Sequence, residues 1–222
     1  MIQGICFDLD GVLVQTDNLH YLAWKGLADR LGIPFDRAQG DRCRGISRME
    51  SLEIVLEHTD HIYSAEEKER FAQEKNEAYR AMLARLSPSD LPADVLPTLR
   101  ELRRRGYRLA LASGSKNAGL ILARTGLGRY LDAAADGRCI TRSKPDPEIF
   151  LTAAKMLDLP PQTCAAVDDA VAHRVDLRGA LDHAVPGVQQ GVQHSLNGLG
   201  VGGHGDLELI LGVLGGHLVS QA

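Results

Sequence analysis

Short apolar runs that end in polar residues alternate with stretches of helical period along most of this chain. Ile2 to Leu9 carries Ile2, Ile5, Cys6, Phe7 and Leu9 and stops at Asp10-Gly11, which predicts a buried strand. Arg108 to Ala112 predicts a second strand, ending in Ser113-Gly114-Ser115, and Thr163 to Val167 a third, ending in Asp168-Asp169. Helical patterns occupy Leu96 to Arg105, Ala118 to Thr125 before Gly126, and Pro147 to Leu157. Nearly continuous apolar strands suit a parallel sheet covered on both faces. Their alternation with helices predicts a doubly wound, Rossmann-like α/β core. Ligands of such sheets sit outside the carboxyl ends of the strands, so three distant segments converge on one expected site.

A different region separates the first two strands. Asp17 to Leu86 is rich in helix formers and charges, and Ser64 followed by Glu67 has the pattern of a capping box. It predicts several helices and no strand, an all-helical cap inserted into the core. Ser87-Pro88-Ser89-Asp90 and Leu91-Pro92 mark the return. The expected division is a discontinuous core of residues 1–15 and 88–222 with a cap of residues 16–87. From Ala170 the composition changes: no lysine follows, and eleven of the 23 glycines and five of the eight histidines fall there. Leu207 to Leu214 suggests a short terminal helix.

The composition narrows the function. The 222 residues are 44% apolar and 24% charged, ordinary for a globular chain able to bury a core without staples. A formal net charge of −4 argues against a general nucleic-acid partner. The run Arg103-Arg104-Arg105 before Gly106 reads as the solvated end of a helix. Cys6, Cys43, Cys139 and Cys164 lack metal or redox spacing, so reduced thiols in a cytoplasm are expected. There is no signal-peptide pattern and no apolar run of membrane-spanning length. His173, His183, His194, His204 and His217 are not at ligand spacing and read as surface residues. Nothing marks an interface, so a monomer is the default.

Four short segments carry chemistry. Asp8 and Asp10 lie two apart, which on a strand places both carboxylates on one face. Such a pair suits a hard cation such as magnesium, or a nucleophilic carboxylate, although capping aspartates in a turn have the same pattern. Ser113-Gly114-Ser115-Lys116-Asn117 offers hydroxyls, main-chain N–H groups and a cation at a strand-to-helix corner, where a phosphate or merely a serine cap fits. Lys144 precedes Pro145-Asp146-Pro147, whose prolines stiffen the loop. Asp168-Asp169 can complete a metal site.

In that order on successive strand ends, these segments resemble the motif set of the haloacid dehalogenase-like phosphotransferases, over residues 1 to about 170. The insert and its surroundings resemble the β-phosphoglucomutase group more closely: Phe7 to Leu13, Thr16-Asp17, His20, Ala23-Trp24-Lys25, Arg44 to Leu52, Lys75 to Tyr79 and Leu111 to Asn117. Arg44 stands where that group has lysine, Gly114 where many members have alanine, and the sequence after Asp169 leaves the family pattern.

The resemblance implies Asp8 as the nucleophile that becomes an aspartyl phosphate and Asp10 as general acid and base. It implies Mg2+ on Asp8, the Asp10 carbonyl and Asp169, with Asp168 nearby. Ser113, Gly114 and Lys144 would grip the transferring phosphoryl group. Arg48, Ser51, Lys116 and Asn117 would hold a second phosphate, and Thr16, His20, Trp24, Arg44, Gly45, Ile46 and Lys75 complete the implied sugar-phosphate site. The implied partner is a small sugar phosphate, and the implied reaction interconverts β-glucose 1-phosphate and glucose 6-phosphate through glucose 1,6-bisphosphate. A small sugar-phosphate phosphatase, and a catalytically weak sugar-phosphate binder, are the alternatives.

Overall fold

The structure, a computed structural model, describes residues 2–44, 46–144 and 146–168. Gly45, Asp169, the terminal helix expected at 207–214 and the five tail histidines lie outside the described residues.

Among the described residues four parallel strands form the sheet: β1 (Gly4–Phe7), β2 (Arg108–Ala112), β3 (Ala133–Ala135) and β4 (Cys164–Val167), in the order β3-β2-β1-β4. Phe7 is level with Leu111 on one side and Val167 on the other, so Asp8, Ser113 and Asp168 emerge at one carboxyl edge. The chain steps outward from β1 to β3, then crosses back to β4. The gap between β1 and β4 is therefore the topological switch point at which such sheets bind ligands.

The period-2 alternation of each strand divides the core into two layers. Ile5, Phe7, Leu109 and Leu111 face helices α5 (Val95–Arg104) and α6 (Ala118–Thr125), against Val95, Leu99, Leu102, Ala118 and Ile121. Cys6, Ala110 and Ala112 face α7 (Glu148–Met156), against Ile149, Phe150, Ala153 and Ala154. The small residues on this second face let α7 approach closely, and a Cβ on Gly4 would come within 2.7 Å of Leu159 Cδ1. Arg103 and Arg104 occupy the last turn of α5, as the sequence predicts.

Two differences from the sequence reading matter. The first strand ends at Phe7 rather than Leu9, so Asp8 follows the strand and Asp10, bridged to Val14, opens the turn beyond it. Gly11 takes φ of 82° there, and the N–H groups of Leu13 and Val14 return to Leu9 O at 3.0 Å. The edge strand β3 is a second difference: three alanines have little strand preference of their own, and only pairing with β2 makes them a strand.

Among the described residues, 17–83 hold four α-helices, a short 3-10 turn (Leu56–His58) and no strand: α1 (Asp17–Leu31), α2 (Arg37–Arg42), α3 (Arg48–Val55) and α4 (Ala65–Leu83). The Ser64–Glu67 capping box is present, and Asp36–Gln39 and Ser47–Glu50 start α2 and α3 in the same way. Trp24, Leu27, Ile33, Phe35, Leu52, Val55 and Phe71 form an apolar cluster of their own. At the base, Ala23, Tyr79 and Leu83 merge into the sheet's first layer.

Candidate active site

Asp8 is buried directly after β1, its N–H bonded to Val167 O at 2.8 Å. Lys144, delivered by the loop before α7, sits between two carboxylates: its Nζ lies 3.0 Å from Asp8 Oδ1 and 2.8 Å from Asp168 Oδ2. Burial drives the Asp8 carboxyl up to about 7, Lys144 opposes this, and the charges of Asp168 and Asp10 add to the rise. Burial also works against the charge of Lys144, but the two carboxylates outweigh it and hold the ammonium above its ordinary pKa. The Lys144 loop is tied by Glu148, whose carboxylate accepts the N–H groups of Arg142 at 2.7 Å and Thr141 at 3.1 Å.

Asp10 accepts a hydrogen bond from the Thr16 hydroxyl at the start of α1. Ser113 is buried beyond β2, and its Oγ accepts the Ser115 N–H at 3.1 Å, which leaves the hydroxyl proton to donate elsewhere. The turn after β3 presses on this corner: a Cβ on Gly137 would lie 2.1 Å from Gly114 O. Gly114 itself has open space where a Cβ would stand, so nothing steric demands glycine there.

Above this floor, α4 presents two pairs of residues at i, i+4 spacing, which places each pair on one face. Lys75 and Tyr79 face His20. Lys75 Nζ lies 2.9 Å from His20 Nδ1, 4.6 Å from the Trp24 ring centroid and 4.9 Å from that of Tyr79. The Tyr79 ring stacks on His20 at 4.0 Å. Burial, with Arg48 adding, pulls the Lys75 ammonium down to about 7. Burial and the nearby cations hold His20 well below its ordinary range, so the ring is neutral and, beside the charged Lys75 ammonium, accepts at Nδ1.

Asn76 and Arg80 form the other pair and reach across to the core. Asn76 Oδ1 accepts from Arg48 Nη2 at 2.9 Å and from Asn117 Nδ2 at 3.0 Å, and Arg80 Nη1 donates to Asn117 Oδ1 at 2.9 Å. Asn117 is only 7% exposed. Sequence reasoning placed Arg48 and Asn117 in the site and missed Asn76 and Arg80. The signal was available: both lie one helical turn apart, each one position after Lys75 and Tyr79.

Several expected residues have other partners. Trp24 is buried in the helical cluster and touches Lys75 from below. Ser51 is buried, and its hydroxyl turns to the main-chain oxygens of Ser47 and Cys43, tying the turn before α3. Arg44 is exposed and paired with Asp17 at 3.1 Å and Asp41 at 3.4 Å, while Ile46 is 39% exposed. Lys116 is exposed at the corner after β2. Among the described residues no group of three or more His, Cys, Asp or Glu side chains could hold a metal ion. None of the described helices is long and apolar enough to cross a membrane.

A buried carboxylate beside a fixed ammonium, roofed by cations on a helical layer, is suited to an anionic substrate whose charge must be neutralised. Known proteins agree with this chemistry. The family model for haloacid dehalogenase-like hydrolases matches residues 2–176. The chain is 41% identical over 192 residues to β-phosphoglucomutase of Bacillus subtilis, covering 86% of this chain and 84% of that protein. It is 28% identical to a phosphorylated-carbohydrate phosphatase of Thermotoga maritima, covering 88% of each. The crystal structure of β-phosphoglucomutase from Clostridium difficile superposes with a TM-score of 0.74 at 37% identity, over 81% of this chain and 82% of that one. A sheet with its site at the β1–β4 switch point, a helical layer above it and these matches together place the chain in the haloacid dehalogenase-like hydrolase family.

Proposed function

We propose that this protein is a Mg2+-dependent β-phosphoglucomutase of the cytoplasm, interconverting β-glucose 1-phosphate and glucose 6-phosphate through glucose 1,6-bisphosphate. Residues 16–87 act as a cap over a core of residues 1–15 and 88–222. The observation that carries the reading is the presence of cationic grips at two ends. Lys144 lies beside Asp8 in the floor, and Arg48 is tied to Asn117 through Asn76 in the roof. A phosphatase needs the first grip alone, whereas a mutase must hold a bisphosphate in either of two orientations.

In this reading an Asp8 oxygen attacks phosphorus, the bond from phosphorus to the sugar oxygen breaks, and Asp10 gives its proton to that oxygen. In the reverse transfer Asp10 takes the proton from the attacking sugar hydroxyl. The Thr16 hydroxyl orients Asp10. Ser113, the Gly114 N–H and Lys144 hold the transferring group, and His20 and Lys75 lie toward the sugar. A closed cap excludes the water that would hydrolyse the aspartyl phosphate.

The donor set fits Mg2+. Asp8 and Asp168 already turn carboxylate oxygens toward one cation, Lys144, and hard oxygen donors are what Mg2+ prefers. Asp8, the Asp10 carbonyl and Asp169 would hold it, with Asp168 alongside. When bound it supplies charge neutralisation at the phosphoryl oxygens. A small-molecule sugar phosphate is the partner, neither nucleic acid nor membrane, and the chain acts as a monomer.

Phosphorus NMR of the protein with Mg2+, β-glucose 1-phosphate and a trace of glucose 1,6-bisphosphate tests this. Glucose 6-phosphate forming with little free phosphate supports the mutase. Free phosphate as the main product supports the phosphatase, the reading favoured by the resemblance to the Thermotoga maritima enzyme. Retained sugar-phosphate binding with an unchanged spectrum supports the catalytically weak binder.

A further inference from the structure

We propose that Arg80 is a specificity-determining residue: it makes the roof of the site a two-arginine clamp, with Arg48, for the phosphate that is not being transferred. The proposal rests on the two-ended reading above and adds to it a residue on the last turn of α4.

Arg80 is placed by a buried side chain of the core. Asn117 uses Oδ1 to accept from Arg80 and Nδ2 to donate to Asn76, whose Oδ1 also receives Arg48. Three side chains of the cap are thus bound through one asparagine of the core. Arg80 commits one N–H to this bond, and a guanidinium has five. Among the described residues no carboxylate lies within ion-pair distance of Arg48, Arg80 or Lys116, although Glu69 acts on Arg48 from farther away. Three of the six other arginines of the cap, Arg30, Arg42 and Arg44, each hold a carboxylate.

Cations gathered across a cap–core seam repel one another until an anion joins them. Arg48 already weighs on the charged form of Lys75. A phosphate in the seam removes that repulsion and accepts the spare N–H groups of both arginines in the bidentate manner guanidinium favours. Asn117 would then act as the hinge pin of the clamp rather than its main ligand, since its side chain is occupied by α4. An anion in the seam also ties the cap shut while the other phosphate is on Asp8.

The test uses the full chain with Mg2+. In an Asp8→Asn background, which blocks turnover, calorimetry measures binding of glucose 1,6-bisphosphate. Arg80→Gln, which keeps a donor for Asn117 but loses the charge, should weaken binding by about tenfold, the value of one charge-assisted contact. Arg80→Lys should recover most of it. With Asp8 intact, acetyl phosphate, which has no second phosphate, should show a much smaller effect of Arg80→Gln on Asp8 phosphorylation. Equal losses with both ligands would reduce Arg80 to a brace for the cap and overturn the proposal, as would bisphosphate binding that is indifferent to Arg80→Gln. If the Asp8→Asn chain with Arg80 intact binds the bisphosphate no tighter than inorganic phosphate, the mutase reading and the Arg80 assignment fall together. Tight, Arg80-dependent binding in a chain that forms no glucose 6-phosphate removes the mutase and leaves the clamp.

Discussion

Replacing Lys75 with methionine should make the protein more stable and less able to bind its substrate. Lys75 is 4% exposed and lies between the Trp24 and Tyr79 rings with His20 as its hydrogen-bond partner. Burial lowers its pKa from 10.5 to about 7. At about 1.4 kcal/mol per pKa unit, holding the ammonium charged in the fold costs at most about 5 kcal/mol. Attraction to the two rings is a separate gain of about 1–2 kcal/mol. Leaving His20 Nδ1 without its donor costs the variant about 1–2 kcal/mol. Methionine fills nearly the same length without charge, so Lys75→Met should gain roughly 1–3 kcal/mol at pH 7. The pH dependence has a definite sign. Between about pH 7 and 10.5 the unfolded chain keeps the Lys75 proton and the folded chain does not, so this residue makes stability rise with pH. The advantage of Lys75→Met should therefore be largest at pH 6.5 and shrink toward pH 9.5. Urea unfolding of both proteins at the two pH values, followed by fluorescence of Trp24, the sole tryptophan, measures it. A variant less stable than the parent at pH 6.5, or an advantage that does not shrink, would refute the reasoning.

Three further outcomes are expected. Asp8→Asn should abolish formation of a phosphorylated protein, read by intact mass after incubation with acetyl phosphate, because an amide cannot carry the transferred group. Gly137→Ala should cost about 3 kcal/mol or more, seen as a lower thermal midpoint, because its Cβ would sit 2.1 Å from Gly114 O and the main chain on both sides must move. Glu148→Gln should lower the phosphoryl-transfer rate about tenfold while changing the thermal midpoint little. The neutral amide holds the Thr141 and Arg142 N–H groups less firmly, and the loop then fixes Lys144 less well. An undiminished rate would show that the prolines beside Lys144 suffice.

The residues of the floor were legible because their positions are tied to strand ends. Apolar runs identify β1, β2 and β4, and the polar residue after each, Asp8, Ser113 and Asp168, is where a parallel sheet must open to solvent. The helical region between the first two strands was equally plain, since capping boxes and helix formers are local signals. What required tertiary structure depends on long-range pairing. Ala133 to Ala135 becomes a strand only beside β2. Asp8 and Asp10 lie past the end of β1, because the strand ends two residues early. Trp24 and Ser51 are drawn into the packing and loop bonds of the cap. The Arg48–Asn76–Asn117–Arg80 network joins segments as far apart as residues 48 and 117. Chain order alone determined which chemical groups stand at the sheet edge, because burying an apolar strand forces its end outward. Their partners were decided by the folded arrangement, because a buried charge accepts whichever opposite charge or hydrogen-bonding group the packing brings within reach.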